Sequence, residues 1–421
     1  MTVAPALDEL PRAQLVSVAL EWMLSGMIVT RAMLPQVVMR GGDLDLMNQV
    51  AIDEWMGASP VYTRRMRQLM DIEGDDVAAI MKALQLDVGF VHQYMDVGYR
   101  RVDEQHAEFW LAHCGALMDT EPHGEERVVG MCHTIEDPTF DATALATNPR
   151  ARIRPIHRPP RVPADRHPHC HWTITIDPAA EPVGSVPLTD AVSTLPLARI
   201  PNPRPPDREP GGRRDYAGPF DPDFELSDLS DGALVGVARE FQVQAHLLMC
   251  ASELALRDRF GADAAREILA DAWAGAGWIA SERLGRALPA TGSSADVARV
   301  LALQPMLPPG FDTTIEELEP GRVRVELRPG TDGLLDPDHP GWCGLLARGE
   351  TRGVAAMAHA VDRRARVAER PVHDGTLRID VVVDEDAAPA PEPDGAALVR
   401  IGMVSVWDFD TADRVAAPRR R

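Results

Sequence analysis

Three cysteines and a run of histidines carry the residue types most suited to chemistry. They are Cys114 in FWLAHCGALMD, Cys132 in GMCHTIEDPTFDA, and Cys170 in HPHCHW, where His167, His169 and His171 also stand. Thiolate and imidazole are the preferred donors for zinc, and a catalytic zinc needs about three protein ligands and one open position. Cys114, Cys132 and Cys170 are therefore candidate metal ligands, for zinc or iron, although their separations are not those of a zinc finger. The alternative is a thiol nucleophile. Cys132 is the favoured one, with His133, His157 or His171 as its base and a helix opening shortly after it. Asp137 followed by Pro138 predicts that helix start, as an N-cap with proline at the first helical position. Glu136 is left as the spare carboxylate for general acid–base work.

Strand alternation constrains HPHCHW. In a strand His167, His169 and His171 share one face, and Cys170 points with Trp172 to the other. Cys170 is thus expected inward with Cys132 and Cys114, the three thiols meeting at one end of a sheet. The plainer alternative is a polar strand end with solvated histidines and a buried thiol. Just upstream, RIRPIHRPPR carries Arg152, Arg154, His157, Arg158 and Arg161. In an acidic protein such a patch either holds a substrate carboxylate, through Arg154, His157 and Arg158, or pairs with the protein's own acids.

The elements that position these residues appear twice. LVSVALEW (Leu15–Trp22) matches LVGVAREF (Leu234–Phe241), and DVAAIMKALQLDVGF from Asp76 matches DVARVLALQPMLPPGF from Asp296. The offsets are 219 and 220 residues, as a tandem duplication would leave. Apolar periodicity predicts helices over about 11–40, 43–70 and 74–86, then 231–260, 262–287 and 295–304. A β-rich half follows each set. AEFWLAH, a short helix PTFDATALAT, RIRPIH and HWTITID in the first copy correspond to RVRVEL, TRGVAAMAHAVD, RARVAERPV and TLRIDVVV in the second. The tail ALVRIGMVSVW is expected to add a strand. The fold class is α+β, with antiparallel sheets: residues 1–177 carry the Cys/His site, 178–225 form a proline-rich extended linker, and 226–421 are a degenerate second copy. Cys250 in that copy is expected as a buried small hydrophobe, and Cys343 corresponds to either Cys132 or Cys114.

A helical start, a cysteine at a strand end, a second before a helix and a third in the last strand resemble the L-2-amino-thiazoline-4-carboxylate hydrolase-like family. That family in turn resembles 4-vinyl reductase type small-molecule-binding domains. The resemblance covers roughly residues 15–177, with an echo over 229–385, and rests on Cys114, Cys132 and Cys170. It implies a helix-then-sheet domain acting on a small molecule. The family unit is single, whereas here there are two, and HPH stands where a glycine often precedes the last cysteine.

The chain has 421 residues, 45% of them apolar, and a formal net charge of -21. That charge argues against a nucleic-acid or anionic-membrane partner. The most apolar stretch, Leu15–Val38, is interrupted by Glu21, Arg31 and Pro35, which favours a buried helix over a membrane span. No secretory signal is read at the start, and five cysteines suit free thiols in the cytoplasm. The expected function is a cytoplasmic hydrolase cleaving a C–N bond of a small heterocyclic or amide-like substrate. Cys132, His133, Glu136 and His171 would carry the chemistry, with or without a metal. The alternative is a non-enzymatic small-molecule binder or sensor with a structural Cys-ligated zinc. A homo-oligomer is left open.

Overall fold

The computed structural model describes residues 2–409, apart from Pro289, Thr291, Pro371 and Asp374. The chain is α+β. After a two-residue strand β1 (Thr2–Val3) come three long helices, α1 (Arg12–Met23), α2 (Ser25–Met39) and α3 (Leu44–Leu69). The shorter α4 (Val77–Leu84) and the single turn α5 (His92–Met95) follow. Strands β2 (Val97–Arg101) and β3 (His106–Leu111) lead into α6 (Gly115–Thr120), α7 (Glu125–Val129) and α8 (Glu136–Leu145), then β4 (Ala151–His157) and β5 (Cys170–Ile176). Helix α9 (Pro187–Thr194) lies in the connecting segment.

The second half opens with α10 (Asp231–Phe260), α11 (Ala262–Ala287) and α12 (Ser294–Ala302). Strands β6 (Phe311–Glu319) and β7 (Arg322–Pro329) precede α13 (Trp342–Ala347) and α14 (Arg352–Val361). Strands β8 (Ala365–Glu369), β9 (Val372–His373) and β10 (Thr376–Val383), then α15 (Asp394–Arg400), complete it.

Side-chain caps explain why the helix starts were legible. Asp43 accepts from the Leu46 N–H, Asp76 from Ala79, Ser230 from Ala233 and Ser293 from Asp296, each satisfying an otherwise orphaned amide. The expected helix over 11–40 is two helices, broken at Leu24, where the Ser25 hydroxyl donates to the Trp22 carbonyl. The span Arg12–Met39 is long and apolar enough to cross a membrane, but 67% of its most apolar window is buried inside the protein. It packs on α10 and α11 as a core element.

The first sheet has the antiparallel order β2-β3-β5-β4 and the second β6-β7-β10-β8, with β9 beside β10 and β1 added to the free edge of β6. Leaving out β9 and β1, both sheets run first, second, fourth, third. Helices α4 and α8 contact the first sheet, α12 and α14 the second, while α3 packs on α10 and α2 on α11.

Among the longer strands, two escaped the sequence. VGYRR (β2) and FDTTIEELE (β6) have little or no clean alternation because they are edge or near-edge strands with exposed ends. The tail is a correction: ALVRIGMVSVW forms no strand but the end of α15 and a turn over Met403–Ser405. In α15 the buried Ala396 and Val399 are three apart, a helical spacing. The proline-rich connection is strapped to the body rather than loose. Arg65 donates to the carbonyls of Ala198 and Ile200, Lys82 to that of Tyr216, and the buried Tyr216 hydroxyl donates to Gln85. Long polar side chains from α3 and α4 thus replace the backbone pairing that proline denies.

Candidate active site

Residues Glu125 to Leu145 form one continuous helical run whose middle, Gly130–Ile135, is a π-turn holding Cys132. Pro138 has no N–H to give the Thr134 carbonyl and its ring crowds that carbonyl, so the wider turn sits directly upstream of the misfit. This corrects the expected N-cap. The helix is already running when it reaches Asp137, whose carboxylate instead pairs with Arg158. Glu136 lies one turn beyond Cys132, on the same side of the helix.

On the sheet, Leu111 of β3 stands opposite Cys170 of β5. Cys114, three residues past Leu111, caps α6 by accepting the Leu117 N–H at 3.3 Å. All three thiols are buried, and each lies near enough to Glu136 to feel its charge. Burial first, then the Glu136 carboxylate, pushes each thiol up: Cys114 to about 12, and Cys132 and Cys170 well above the usual thiol range. Among the described residues no three His, Cys, Asp or Glu side chains gather at ligand distance around one point.

Alternation on β5 is as read from the sequence: Cys170, Trp172, Ile174 and Ile176 are buried, and His171 and Thr173 face the other way. His171 bonds Glu108 at 2.9 Å, with the His157 ring 6.1 Å away, so both histidines lie on the face away from the thiols. His133 is adjacent to Cys132 but spends its Nε2 on the Pro159 carbonyl at 2.7 Å. The arginine patch is engaged with the protein's own groups. Arg154 makes two 2.8 Å bonds to Asp141, Arg161 grips Glu121, and Arg152 donates to the Glu181 carbonyl. Arg158 pairs with Asp137 and lies over the Trp172 ring at 5.9 Å.

Of the predicted catalytic set, Cys132 and Glu136 lie one turn apart on one helical run, His133 is next to Cys132 but bonded to the Pro159 carbonyl, and His171 is on the opposite face of the sheet.

Cys114 and Glu136 border a cavity of about 160 Å³ formed by α2, α3, the loop after α4, the end of β3 and α8. Its walls are mainly apolar, with Met27, Leu34, Trp55, Phe90 and Phe140. Five ionisable side chains interrupt them, Arg31, Tyr62, Asp87, Cys114 and Glu136, together with the hydroxyls of Thr30, Thr139 and Thr143. Asp87 is buried, accepts the Tyr62 hydroxyl at 3.1 Å and the Gly89 N–H at 2.7 Å, and is pushed up by burial to about 6. Burial raises Glu136 to about 8 against the opposing charge of Arg158. Arg31 is anchored by Nε to Asp119 at 2.5 Å and by Nη1 to the Met27 carbonyl.

Sequence reasoning singled out Glu136 but missed Arg31, Tyr62 and Asp87 as site residues. Arg31 had a signal, as one of two charges inside the most apolar stretch, Leu15–Val38. Asp87 and Tyr62 had none, because a loop and a helix interior meet here only through the tertiary fold.

No family model matches this chain, and neither does any curated protein or solved structure.

Proposed function

We propose that this protein is a cytoplasmic hydrolase that breaks a C–N bond of a small heterocyclic or amide-like molecule held in this cavity. The observation that carries the reading is the presence in one small, largely apolar cavity of two carboxyls whose surroundings hold them near about 6 and about 8. At neutral pH Asp87 is mostly ionised and Glu136 mostly protonated, the division of labour a general base and a general acid require. Asp87 takes a proton from a water, whose oxygen bonds the substrate carbon. The C–N electron pair leaves on nitrogen, which takes the proton of Glu136. Arg31 offers positive charge to the oxygen or to a substrate anion. The volume suits a molecule about the size of benzene.

The thiols take a different part in this reading from the nucleophile expected of Cys132. Protonated and buried, they form a soft wall behind Glu136. Five free cysteines support a reducing compartment. The matching strand order of the two sheets supports a tandem duplication. So does Cys343, which enters a short helix after the second strand of its sheet as Cys114 does. In that case the second copy is a structural partner, and the helix-then-sheet arrangement agrees with the family resemblance.

The protonated thiols also favour a second reading, a small-molecule binder that performs no chemistry. The test is release of ammonia or amine from a panel of small cyclic amidines, thiazolines and amides across pH. Turnover is expected to peak between about pH 6 and 8, with Asp87→Asn losing the acid limb's base and Glu136→Gln the alkaline limb's acid, each at least a hundredfold down. Stoichiometric binding of a panel member without product at any pH would leave the binder.

A further inference from the structure

We propose that His113, His167 and His169 form a separate site for one divalent transition-metal ion of the zinc type. Zn–N bonds are about 2.0–2.1 Å, so two imidazoles on one tetrahedral ion have ring centres roughly 5 Å apart. The His169 ring centre lies 5.6 Å from that of His113 and 5.4 Å from that of His167. Both spacings sit just outside the ligating value, around one central ring.

A second observation points the same way. His169 is only 5% exposed, and its Nδ1 has no hydrogen-bond partner among the described residues, an expensive omission for a buried nitrogen.

Two of the three residues are already held. The His169 N–H donates to the Leu111 carbonyl at 2.8 Å, fixing the backbone at the start of β5. The His113 ring lies nearly parallel to Trp407, centres 6.0 Å apart. His167 is exposed. The donors do not yet meet at ligand distance, but turning an imidazole about χ2 exchanges its nitrogen and carbon edges while the ring centre stays in place. The nearby Arg161 is neutralised by Glu121 through bonds of 3.0–3.1 Å. Three imidazoles leave a fourth position for water, the arrangement of an open zinc site.

Chelator-stripped full-length protein titrated with cobalt(II) should develop one equivalent of visible ligand-field absorption, and zinc should displace it. His169→Ala should abolish the band, and His113→Ala or His167→Ala should weaken binding roughly tenfold or more. Cys114→Ser and Cys170→Ser should leave it unchanged, with no sulfur-to-cobalt charge-transfer band. His167 is exposed, so its variant tests the site without threatening the fold. Binding that survives His167→Ala at full strength, depends on the cysteines, or is absent from the wild type would overturn the proposal.

Discussion

Glu136 carries the sharpest consequence at the scale of single residues. Its folded-state value near 8 stands above the ordinary carboxyl value of 4.5. Below pH 4.5 both states hold the proton and the effect vanishes. Above it the unfolded chain ionises while the folded one does not, so the group costs stability increasingly up to pH 8 and by a constant amount beyond. Glu136→Gln should therefore be more stable than the wild type at pH 8 by on the order of 3 kcal/mol, allowing for water in the cavity. The two should converge near pH 4. Denaturant titrations at the two pH values check this, and a gap independent of pH would refute it. Which side of β5 each side chain takes was legible at this scale, because a period of two is purely local. The partners of His133 and of the arginines were not, since each depends on which carbonyl or carboxylate the fold delivers.

Whole elements were the most legible level where polar caps and apolar periods agreed, as in α3 and α10 with Asp43 and Ser230 at their starts. They failed where geometry rather than pattern decides. Asp137–Pro138 has the composition of a helix start, yet a π-turn lets the helix run through it. The tail reads apolar like a strand, but Gly395 of α15 lies against Gly275 of α11. A Cβ at Gly275 would come 2.3 Å from the Gly395 carbonyl carbon. Only two glycines facing each other permit that crossing, a pairing invisible from either segment alone. Gly275→Ala should cost about 1–3 kcal/mol through overpacking. It should also loosen α15 and the Trp407 that follows it, seen as new protease cuts between residues 394 and 407. Unchanged melting and cleavage would mean that the crossing relaxes freely.

Across the whole molecule, the two halves are interlocked rather than strung on a linker. β1 from the N-terminus completes the second sheet, while Met403 near the other end donates to Asp119 of the first half. Arg283 on α11 grips Glu21 on α1 with bonds of 2.6 and 3.0 Å. Between α3 and α10 Arg65 grips Glu240 through two bonds, 2.5 and 3.0 Å, with the Glu240 side chain only 2% exposed. The repeat in the sequence pointed to two similar units but not to their exchange of ends, because such contacts join residues more than two hundred positions apart. An ion pair this deep contributes little over a well-packed apolar pair, but removing one partner strands a charge away from water. Glu240→Ala should accordingly cost about 3–5 kcal/mol. It also removes the acceptor that Asn202 of the connecting strap uses at 3.1 Å, so the strap should loosen with it. Replacing both partners, as Arg65→Met with Glu240→Leu, should recover part of that loss despite orphaning the Ala198 and Ile200 carbonyls. Chemical denaturation of the two variants and the wild type decides the matter. A double variant no better than Glu240→Ala would show that Arg65 matters as the clamp on the strap, not as the counter-charge.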